Sequence, residues 1–231
     1  MFDLATISLI FLLVFTNPGD LPAPVITGNF KEDIHALAEE YSRNIYCESG
    51  LEGKLDYEIY KRAFKGISAL SAPRKDVLTI IDYSKPSSDR RMYVIDLVNR
   101  KLLYQTLVAH GKNSGDKECD RFSNRPQSLQ SSPGFYLTAE SYSGGQGYSM
   151  RLDGEEPGIN DMARARNIVM HGADYVCQKY VKEYGYIGRS YGCTAVPLEL
   201  NRKIIDLIKG GSCLYIHTND KNYASRSMIR D

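Results

Sequence analysis

The chain has 231 residues, 42% hydrophobic and 25% charged, which is typical of one globular domain with or without a small appendage. This composition excludes wholesale disorder, collagen and coiled coil. Lys and Arg number 29 against 28 Asp and Glu, a net charge of +1, so the chain as a whole has no basic field to bind a polyanion. Nucleic acid is therefore not an expected partner.

The N-terminus carries a short apolar run at residues 4–15, which Asn17, Pro18 and Gly19 follow. A bilayer-spanning helix needs about 20 residues, so a run of this length is more typical of a signal peptide, although no Lys or Arg precedes it. We assign residues 1–20 to a signal peptide or N-terminal anchor, with an N-terminal strand or helix of the fold as the alternative. The expected location is the cell envelope, periplasmic or secreted.

Residues 29–73 are predicted to be helical. Gly50 and Gly53 separate two stretches, and Pro73 closes the second. We expect a helical hairpin that packs on the rest of the chain, since about 45 residues are too few to fold comfortably alone. Apolar residues recur in it at helical spacing, at Ile34, Leu37, Tyr41 and Ile45 and again at Ile59, Ala63, Ile67 and Leu70.

From residue 77 the pattern changes to short runs rich in β-branched and aromatic residues, which predict strands. Two helices interrupt the later strands, one over residues 174–184 and one after Pro197. The predicted fold is α+β overall: a mostly β sandwich or barrel with a few helices over residues 77–218, after the helical segment and before a tail at 219–231. The seven predicted strands lie within residues 77–83, 92–97, 102–108, 134–139, 148–152, 167–171 and 213–217.

Two polar linkers, residues 111–133 and 144–166, are long for a compact domain. Loops of this length are either functional or disordered, and a plain surface loop is the alternative for each. The second linker contains three arginines, Arg151, Arg164 and Arg166.

The chain has five cysteines, and an odd number in an exported protein leaves at least one free thiol. If four are paired, three connectivities are possible, and the sequence does not choose among them. The sequence contains no Cys-x-x-Cys pair, so it predicts neither a zinc ribbon nor a thioredoxin-like motif. A metal site drawn from His171, Cys177, Cys193, Cys213 and His217 has acceptable ligands but no paired spacing, so we expect none.

Residues 187–193 form a polar, glycine-flanked turn that carries one thiol, Cys193. Gly192 allows a close backbone approach and a positive φ, and such a turn can direct several N–H groups at a tetrahedral oxyanion. A thiol also needs a base to ionise it, and His171, at the end of a predicted strand, is the best candidate. The residues therefore predict a Cys–His acyl-transfer site.

The order and spacing of His171-Gly172 and Ser190-x-Gly192-Cys193 resemble the signature of the L,D-transpeptidases with a YkuD-type catalytic domain, and in particular the murein L,D-transpeptidase branch. The resemblance covers residues 77–218. Further stretches that resemble this branch lie at residues 93–97, 107–115, 131–136, 147–152 and 165–173.

The resemblance implies a role for each residue of the motif. Cys193 would be the nucleophile and His171 its base, oriented by the carbonyl of Gly172. Backbone N–H groups near Tyr191, Gly192 and Cys193, in the turn that Ser190 begins, would form the oxyanion hole. The thiolate would attack the third-residue carbonyl of a peptidoglycan stem tetrapeptide and release D-Ala, and an acceptor amine would resolve the thioester as a 3–3 cross-link. No cofactor is implied, and we expect a monomer.

Three arginines are candidates for binding the carboxylates of the stem peptides. Arg189 lies four residues before the thiol, and Arg151 and Arg166 lie on the adjoining strand and loop. Each has the alternative of being a solvated surface residue. Relatives commonly have His where this chain has Tyr191, and Asn or Arg where it has Ala195. The second difference affects the positioning of substrate more than the chemistry.

Two alternative functions remain open. An L,D-carboxypeptidase or other cysteine peptidase would use the same site, with water in place of the amine. A non-catalytic cell-wall-binding protein on a decayed scaffold is disfavoured, because Cys193, His171 and Gly192 are all present.

Overall fold

The structure, a computed structural model, describes residues 30–229, with side chains from residue 35 onward. The signal peptide or anchor predicted for residues 1–20 lies outside this part. None of the helices in the described part is both long and apolar enough to cross a membrane. The described helices are α1 (Phe30–Glu48), α2 (Tyr57–Ala69), α3 (Gln178–Tyr184), α4 (Leu198–Ile208) and α5 (Lys221–Arg226). The strands are β1 (Arg74–Asp82), β2 (Met92–Asp96), β3 (Lys101–Thr106), β4 (Gly134–Gly144), β5 (Gly147–Gly154), β6 (Val169–Ala173), β7 (Thr194–Pro197) and β8 (Ser212–His217).

The eight strands form one sheet in the order β3-β2-β1-β8-β4-β5-β6-β7. The pairs β1–β8 and β6–β7 are parallel, and the other neighbours are antiparallel. The mostly β fold with a few helices that the sequence predicts is therefore confirmed. Its division into separate domains stays a prediction.

Side chains of the central strands alternate between two hydrophobic cores. In β1, Leu78 and Ile80 pack against the helical hairpin, while Val77 and Ile81 pack on the opposite side with α4. Successive side chains of a strand point to opposite faces of a sheet, so a strand that is buried on both faces is apolar at nearly every position. This explains the continuous apolar runs in the sequence.

The N-terminal helices belong to the first of these cores. Helices α1 and α2 bury Ile45, Tyr60 and Ile67 together with Phe135 and Tyr215 of the sheet. Asp56 caps the start of α2 by accepting hydrogen bonds from two main-chain N–H groups. The hairpin therefore packs on the rest of the chain, as the sequence predicts.

The two edges of the sheet are connected by the segment that follows β3. Ala109 N–H donates to the carbonyl of Ala195 in β7 at 2.8 Å, and Lys112 N–H donates to the carbonyl of Ser190 at 2.8 Å. The chain thus passes from one edge strand, β3, to the other, β7, and nearly closes the sheet into a barrel. This closure places residues 109–112 beside the turn that carries Cys193.

The structure corrects several boundaries that we predicted from sequence. The linker at residues 144–166 contains all of β5, and the tail at 219–231 contains α5. The helix predicted to begin at residue 174 begins at Gln178. Strand β7 was not predicted, because it is only four residues long and ends in Pro197. Each of the seven predicted strands overlaps a strand of the structure.

Candidate active site

Strand β6 carries His171, and Cys193 directly precedes β7, the strand that pairs with β6. His171 is the register partner of Ala195 across the parallel β6–β7 pair, and Cys193 lies two residues before Ala195. Cys193 lies in the turn before β7, so the strand pairing brings the main chain of this turn near the strand that carries His171. His171 and Cys193 are 22 positions apart in sequence, and the pairing of β6 with β7 brings these two parts of the chain together.

His171 is only 4% exposed, and its ring is fixed by the next residue along the chain. Its Nδ1 lies 3.0 Å from the carbonyl oxygen of Gly172, and because a carbonyl only accepts, Nδ1 carries the hydrogen. Nε2 is then the free basic atom. Burial lowers the pKa of His171, and the hydrogen bond to Gly172 opposes this shift. The imidazole is therefore a neutral base at neutral pH.

The Cys193 thiol is partly exposed and donates to the main-chain carbonyl of Asn167 at 3.6 Å. Burial raises the pKa of this thiol, whereas an N–H group of Val169 and the positive charge of Arg166 lower it. The described contacts include no hydrogen bond between this thiol and the imidazole of His171. The candidate nucleophile is therefore a protonated thiol in the turn before β7, the neighbour of the strand that carries the candidate base.

The turn before Cys193 is held by the hydroxyl of Ser190. This hydroxyl donates to the carbonyl of Cys193 at 2.7 Å and accepts from the N–H of Gly192 at 3.1 Å. Gly192 has φ 121°, and an added Cβ would lie 2.9 Å from the carbonyl of Gln130. The turn needs glycine there both for its conformation and for its contact with the loop. Tyr191 projects outward and is 70% exposed.

Arg166 holds the long loop at residues 111–133 against the nucleophile turn. Its guanidinium donates to the carbonyls of Ser123 at 2.7 Å and Gln130 at 2.6 Å, and to the hydroxyls of Ser132 and Ser128 at 2.6 and 3.2 Å. These contacts occupy both terminal nitrogens. The arginine predicted from sequence to bind substrate therefore binds the protein itself, and its charge acts on the thiol from there.

The other two predicted arginines also have partners within the chain. Arg189 forms an ion pair with Asp116 and donates to the carbonyl of Gly115 at 3.2 Å. Arg151 lies 3.4 Å from a carboxylate oxygen of Glu140 and 3.4 Å from the side-chain oxygen of Asn167. Both guanidinium groups remain partly exposed, so a substrate carboxylate has access to them.

Sequence reasoning did not single out Asn167 or Lys112 at this site. The acceptor for the thiol is the main-chain carbonyl of Asn167. Because every residue has such a carbonyl, the sequence does not mark this one as a partner. Lys112 places its ammonium 4.6 Å from the ring centre of Tyr191. The stretch at residues 107–115 belongs to the family resemblance, and its position beside the turn is what the structure adds.

The five cysteines are all free thiols in the structure. Within residues 30–229, no three His, Cys, Asp or Glu side chains form a group that could hold a metal ion. The structure has a cavity of about 270 Å³ that neither Cys193 nor His171 lines, so it is not part of the candidate active site. The residues that line it are Tyr83, Ser84, Glu118, Cys119, Asp120, Thr218, Asn219 and Asp220.

Comparison with known families shows which family the chain belongs to. The model of the L,D-transpeptidase catalytic domain matches residues 51–217, which is most of the chain and includes both His171 and Cys193. The chain belongs to the L,D-transpeptidase catalytic-domain family. The resemblance carried by the sequence motifs is therefore confirmed. No curated protein matches it.

Solved L,D-transpeptidases resemble the chain at low sequence identity. The enzyme from Mycobacterium smegmatis is 13% identical, with 62% of this chain and 59% of that chain covered and a TM-score of 0.38. One from Stackebrandtia nassauensis is 13% identical, with 93% and 90% covered and a TM-score of 0.37. L,D-transpeptidase 3 from Mycobacterium tuberculosis is 12% identical, with 62% and 61% covered and a TM-score of 0.38. The chain thus spans less than two thirds of the length of two of these three proteins.

Proposed function

We propose that the protein is a cysteine acyltransferase, an L,D-transpeptidase that acts on peptidoglycan stem peptides. The family assignment supports acyl transfer in general. The observation that supports the proposal is the parallel β6–β7 pairing, in which His171 lies opposite Ala195, two residues after Cys193. A thiolate is a good leaving group, so a thioester can pass its acyl group to an amine without a further activating group.

The first half-reaction forms the acyl-enzyme. The Cys193 thiol turns from the carbonyl of Asn167 toward His171, and Nε2 of the imidazole takes its proton. The sulfur attacks the third-residue carbonyl carbon of a stem tetrapeptide, and the negative charge moves to the carbonyl oxygen. When the intermediate collapses, the C–N bond to D-Ala breaks, and the imidazolium gives its proton to the leaving amine.

The second half-reaction resolves the thioester. An amine of a neighbouring stem loses a proton to His171 and attacks the acyl carbon. The C–S bond breaks, a 3–3 amide cross-link forms, and the Cys193 sulfur recovers the proton. If water takes the place of the amine, the product is a free carboxylic acid, which is the L,D-carboxypeptidase reaction.

Main-chain N–H groups of the turn are assigned to stabilise the oxyanion that forms in both steps. The N–H of Gly192 already donates to Ser190, so the N–H groups of Tyr191 and Cys193 are the proposed donors. Loss of one such donor costs about 2.7–4 kcal/mol of transition-state stabilisation in other enzymes. Ser190 contributes by holding the turn in the conformation that directs these groups.

Arg189 and Arg151 are the proposed sites for stem-peptide carboxylates. Both guanidinium groups are partly exposed, and Arg151 contacts Asn167, the residue whose carbonyl holds the thiol. Arg166 is assigned to the loop instead, because its donors are occupied within the chain. A carboxylate that replaced Asp116 at Arg189 would keep that guanidinium paired.

The proposed location is the cell envelope, where the stem peptides are. The apolar run at residues 4–15 supports export. We also propose that the enzyme acts as a monomer, since the site is built from elements of one chain. The carboxypeptidase remains the second candidate because the geometry of Cys193 and His171 serves water and an amine equally.

Incubation of the purified protein with a disaccharide tetrapeptide, with and without an excess acceptor amine, tests the proposal. We expect D-Ala release and amide-linked product with the amine, and free tripeptide acid without it. Formation of the acid alone in both cases would identify a carboxypeptidase. Cys193→Ala should remove every product, and release of D-Ala by that variant would rule out the assignment.

A further inference from the structure

A buried histidine outside the acyl-transfer pair, His110, is bonded on both sides of its ring. Arg91 places a guanidinium nitrogen 2.7 Å from Nδ1, and the carbonyl oxygen of Gly115 lies 3.2 Å from Nε2. Both His110 and Arg91 are fully buried. His110 lies in the stretch at residues 107–115 that the sequence singled out and the proposed mechanism does not use.

The partners of the ring determine its tautomer. A guanidinium only donates hydrogen bonds, so Nδ1 of His110 accepts, and Nε2 carries the hydrogen and donates to the carbonyl of Gly115. Burial, together with the charge of Arg91, lowers the pKa of His110 to about 3. The ring is therefore neutral at neutral pH, and its orientation is set by one acceptor and one donor contact.

Arg91 uses its donors to fix the main chain around His110. It donates to the carbonyl of Val108 at 3.2 and 3.0 Å and to the carbonyl of Lys85 at 2.8 Å. Its hydrogen bonds within the described part of the chain go to main-chain carbonyls and to the imidazole, none to a carboxylate. A buried cation is costly unless every donor is satisfied, so this network holds the segment in one conformation.

The same segment holds the turn that carries the nucleophile. The carbonyl of His110 accepts the N–H of Ser190 at 2.9 Å, and the N–H of Lys112 donates to the carbonyl of Ser190 at 2.8 Å. The Ser190 hydroxyl then bonds both Gly192 and the carbonyl of Cys193. Hydrogen bonds therefore link Arg91 to the ring of His110, the carbonyl of His110 to the N–H of Ser190, and the hydroxyl of Ser190 to the carbonyl of Cys193.

We propose that His110 is a positioning residue for Cys193, acting through Ser190, with Arg91 fixing its ring. This inference rests on the proposed acyl transfer at Cys193. The ring does not touch the reacting atoms. It anchors the strand-like segment whose carbonyl fixes Ser190, and Ser190 in turn directs the N–H groups assigned to the oxyanion.

The test compares two conservative variants of the same histidine, measured by mass spectrometry as carbapenem addition to Cys193. His110→Asn keeps an acceptor for Arg91 but is too short to donate to Gly115, whereas the longer amide of His110→Gln offers both an oxygen that can accept from Arg91 and an N–H that can donate to Gly115. We expect Asn to lower the maximal acylation rate about tenfold or more, because a misplacement of about 1 Å can cost about 100-fold. Gln should recover part of that loss. The carbapenem concentration at half-maximal rate should change less than about twofold from wild type, since binding contacts are kept.

The matched control is His217→Asn. His217 is also a histidine with a pKa lowered by burial, but its ring contacts Tyr215 and not the nucleophile turn. This variant should acylate at the wild-type rate, whatever its melting temperature. An equal loss of rate in His217→Asn and His110→Asn would show general destabilisation and overturn the proposal.

Arg91→Lys is the second variant, because lysine keeps the charge but has one nitrogen in place of the three with which Arg91 reaches the ring and two carbonyls. It should also lower the maximal rate about tenfold or more. If His110→Asn or Arg91→Lys folds and acylates within twofold of wild type, the positioning role is wrong. Failure of the proposed function is distinct, since the wild-type protein itself would then form no adduct at Cys193.

Discussion

The thiol of Cys193 donates its hydrogen to the main-chain carbonyl of Asn167, 3.6 Å away. Asn167 adopts the left-handed conformation, with φ 54°, at the end of a turn closed by its N–H and the carbonyl of Arg164. Asparagine tolerates this conformation better than most residues. The turn before β6 thus presents a main-chain carbonyl that accepts the hydrogen of the candidate nucleophile.

The first prediction concerns the ionisation of this thiol. Because burial raises the pKa of Cys193 and lowers that of His171, the pair should rest as thiol and imidazole and not as an ion pair. The rate of iodoacetamide alkylation at Cys193 should therefore rise with pH beyond about 8.5, the ordinary thiol value. Peptide mapping over pH 5–10 measures it.

This experiment needs a background without the more accessible thiols, because Cys47 is exposed and Cys177 is partly exposed. The double variant Cys47→Ser, Cys177→Ser provides that background. A rate that stays high down to pH 5 would indicate a thiolate–imidazolium pair and would contradict the neutral resting state.

The second prediction is that a carbapenem acylates Cys193 and leaves the four other thiols unmodified. Acylation requires a base and oxyanion donors in addition to accessibility, and only the surroundings of Cys193 are proposed to supply both. Intact mass should show one adduct per chain, and fragment mapping should place it at residue 193. Cys193→Ala should give no adduct, while Cys47→Ser should acylate normally. An adduct that persists in Cys193→Ala would refute the assignment.

The third prediction concerns the contact between α2 and the sheet. At Gly66 an added Cβ would lie 2.3 Å from a ring carbon of Phe135, and that ring is stacked on Tyr215 with centroids 4.4 Å apart. Alanine favours a helix over glycine by about 1 kcal/mol, but overpacking a core costs about 1–3 kcal/mol and usually requires backbone shifts.

The overpacking should exceed the propensity gain, so Gly66→Ala should lower the free energy of unfolding. Urea denaturation measures the change. The control Lys65→Ala, one position away on the exposed side of α2, should change stability by less than about 0.5 kcal/mol. Equal or greater stability of Gly66→Ala would show that the helix can move away from Phe135.

The fourth prediction is a loss of stability in mild acid. His110 has a pKa of about 3 in the folded protein and about 6.5 when unfolded, so between these values the unfolded chain binds a proton that the folded chain does not. Its contribution is fully present above pH 6.5 and is lost as the pH falls toward 3. The expected loss is about 2 kcal/mol between pH 6.5 and 5.

Urea denaturation at pH 7, 6 and 5 gives this slope. The variant His110→Gln has no titratable group at this position. Its free energy of unfolding should therefore fall less steeply with decreasing pH than that of the wild type, and the difference between the two slopes should correspond to about one proton. His171 and His217 contribute to both proteins in the same direction, because burial also lowers their pKa values. Identical slopes would show that His110 gains a proton in the folded state.

Much of the fold could be predicted because it follows from local periodicity. The helical spacing of Tyr41 and Ile45 and the apolar run from Val77 to Ile81 both report the environment that each residue enters. Short elements escaped prediction for the same reason. Strand β7 is too short to show a period, and it exists because β6 and residue 109 pair with it from either side.

The candidate site was predictable in its residue types but not in its contacts. The spacing of His171-Gly172 and Ser190-x-Gly192-Cys193 indicated the nucleophile, the base and the turn from sequence. The partners of Arg166 are serine hydroxyls and main-chain carbonyls more than 30 positions away, and no pattern marks a carbonyl as an acceptor. An arginine near a thiol therefore looks like a substrate ligand until the fold shows what it already binds.

The sequence by itself determined the mostly β architecture, the helical hairpin in front of it and the choice of a thiol and an imidazole as the candidate nucleophile and base, because periodicity and motif spacing are properties of the chain. Only the tertiary structure decided that the resting thiol bonds to Asn167, that Arg166 holds a loop, and that His110 supports Ser190. Hydrogen bonds between distant segments depend on where the backbone brings each donor and acceptor, and that placement exists only after the sheet has formed.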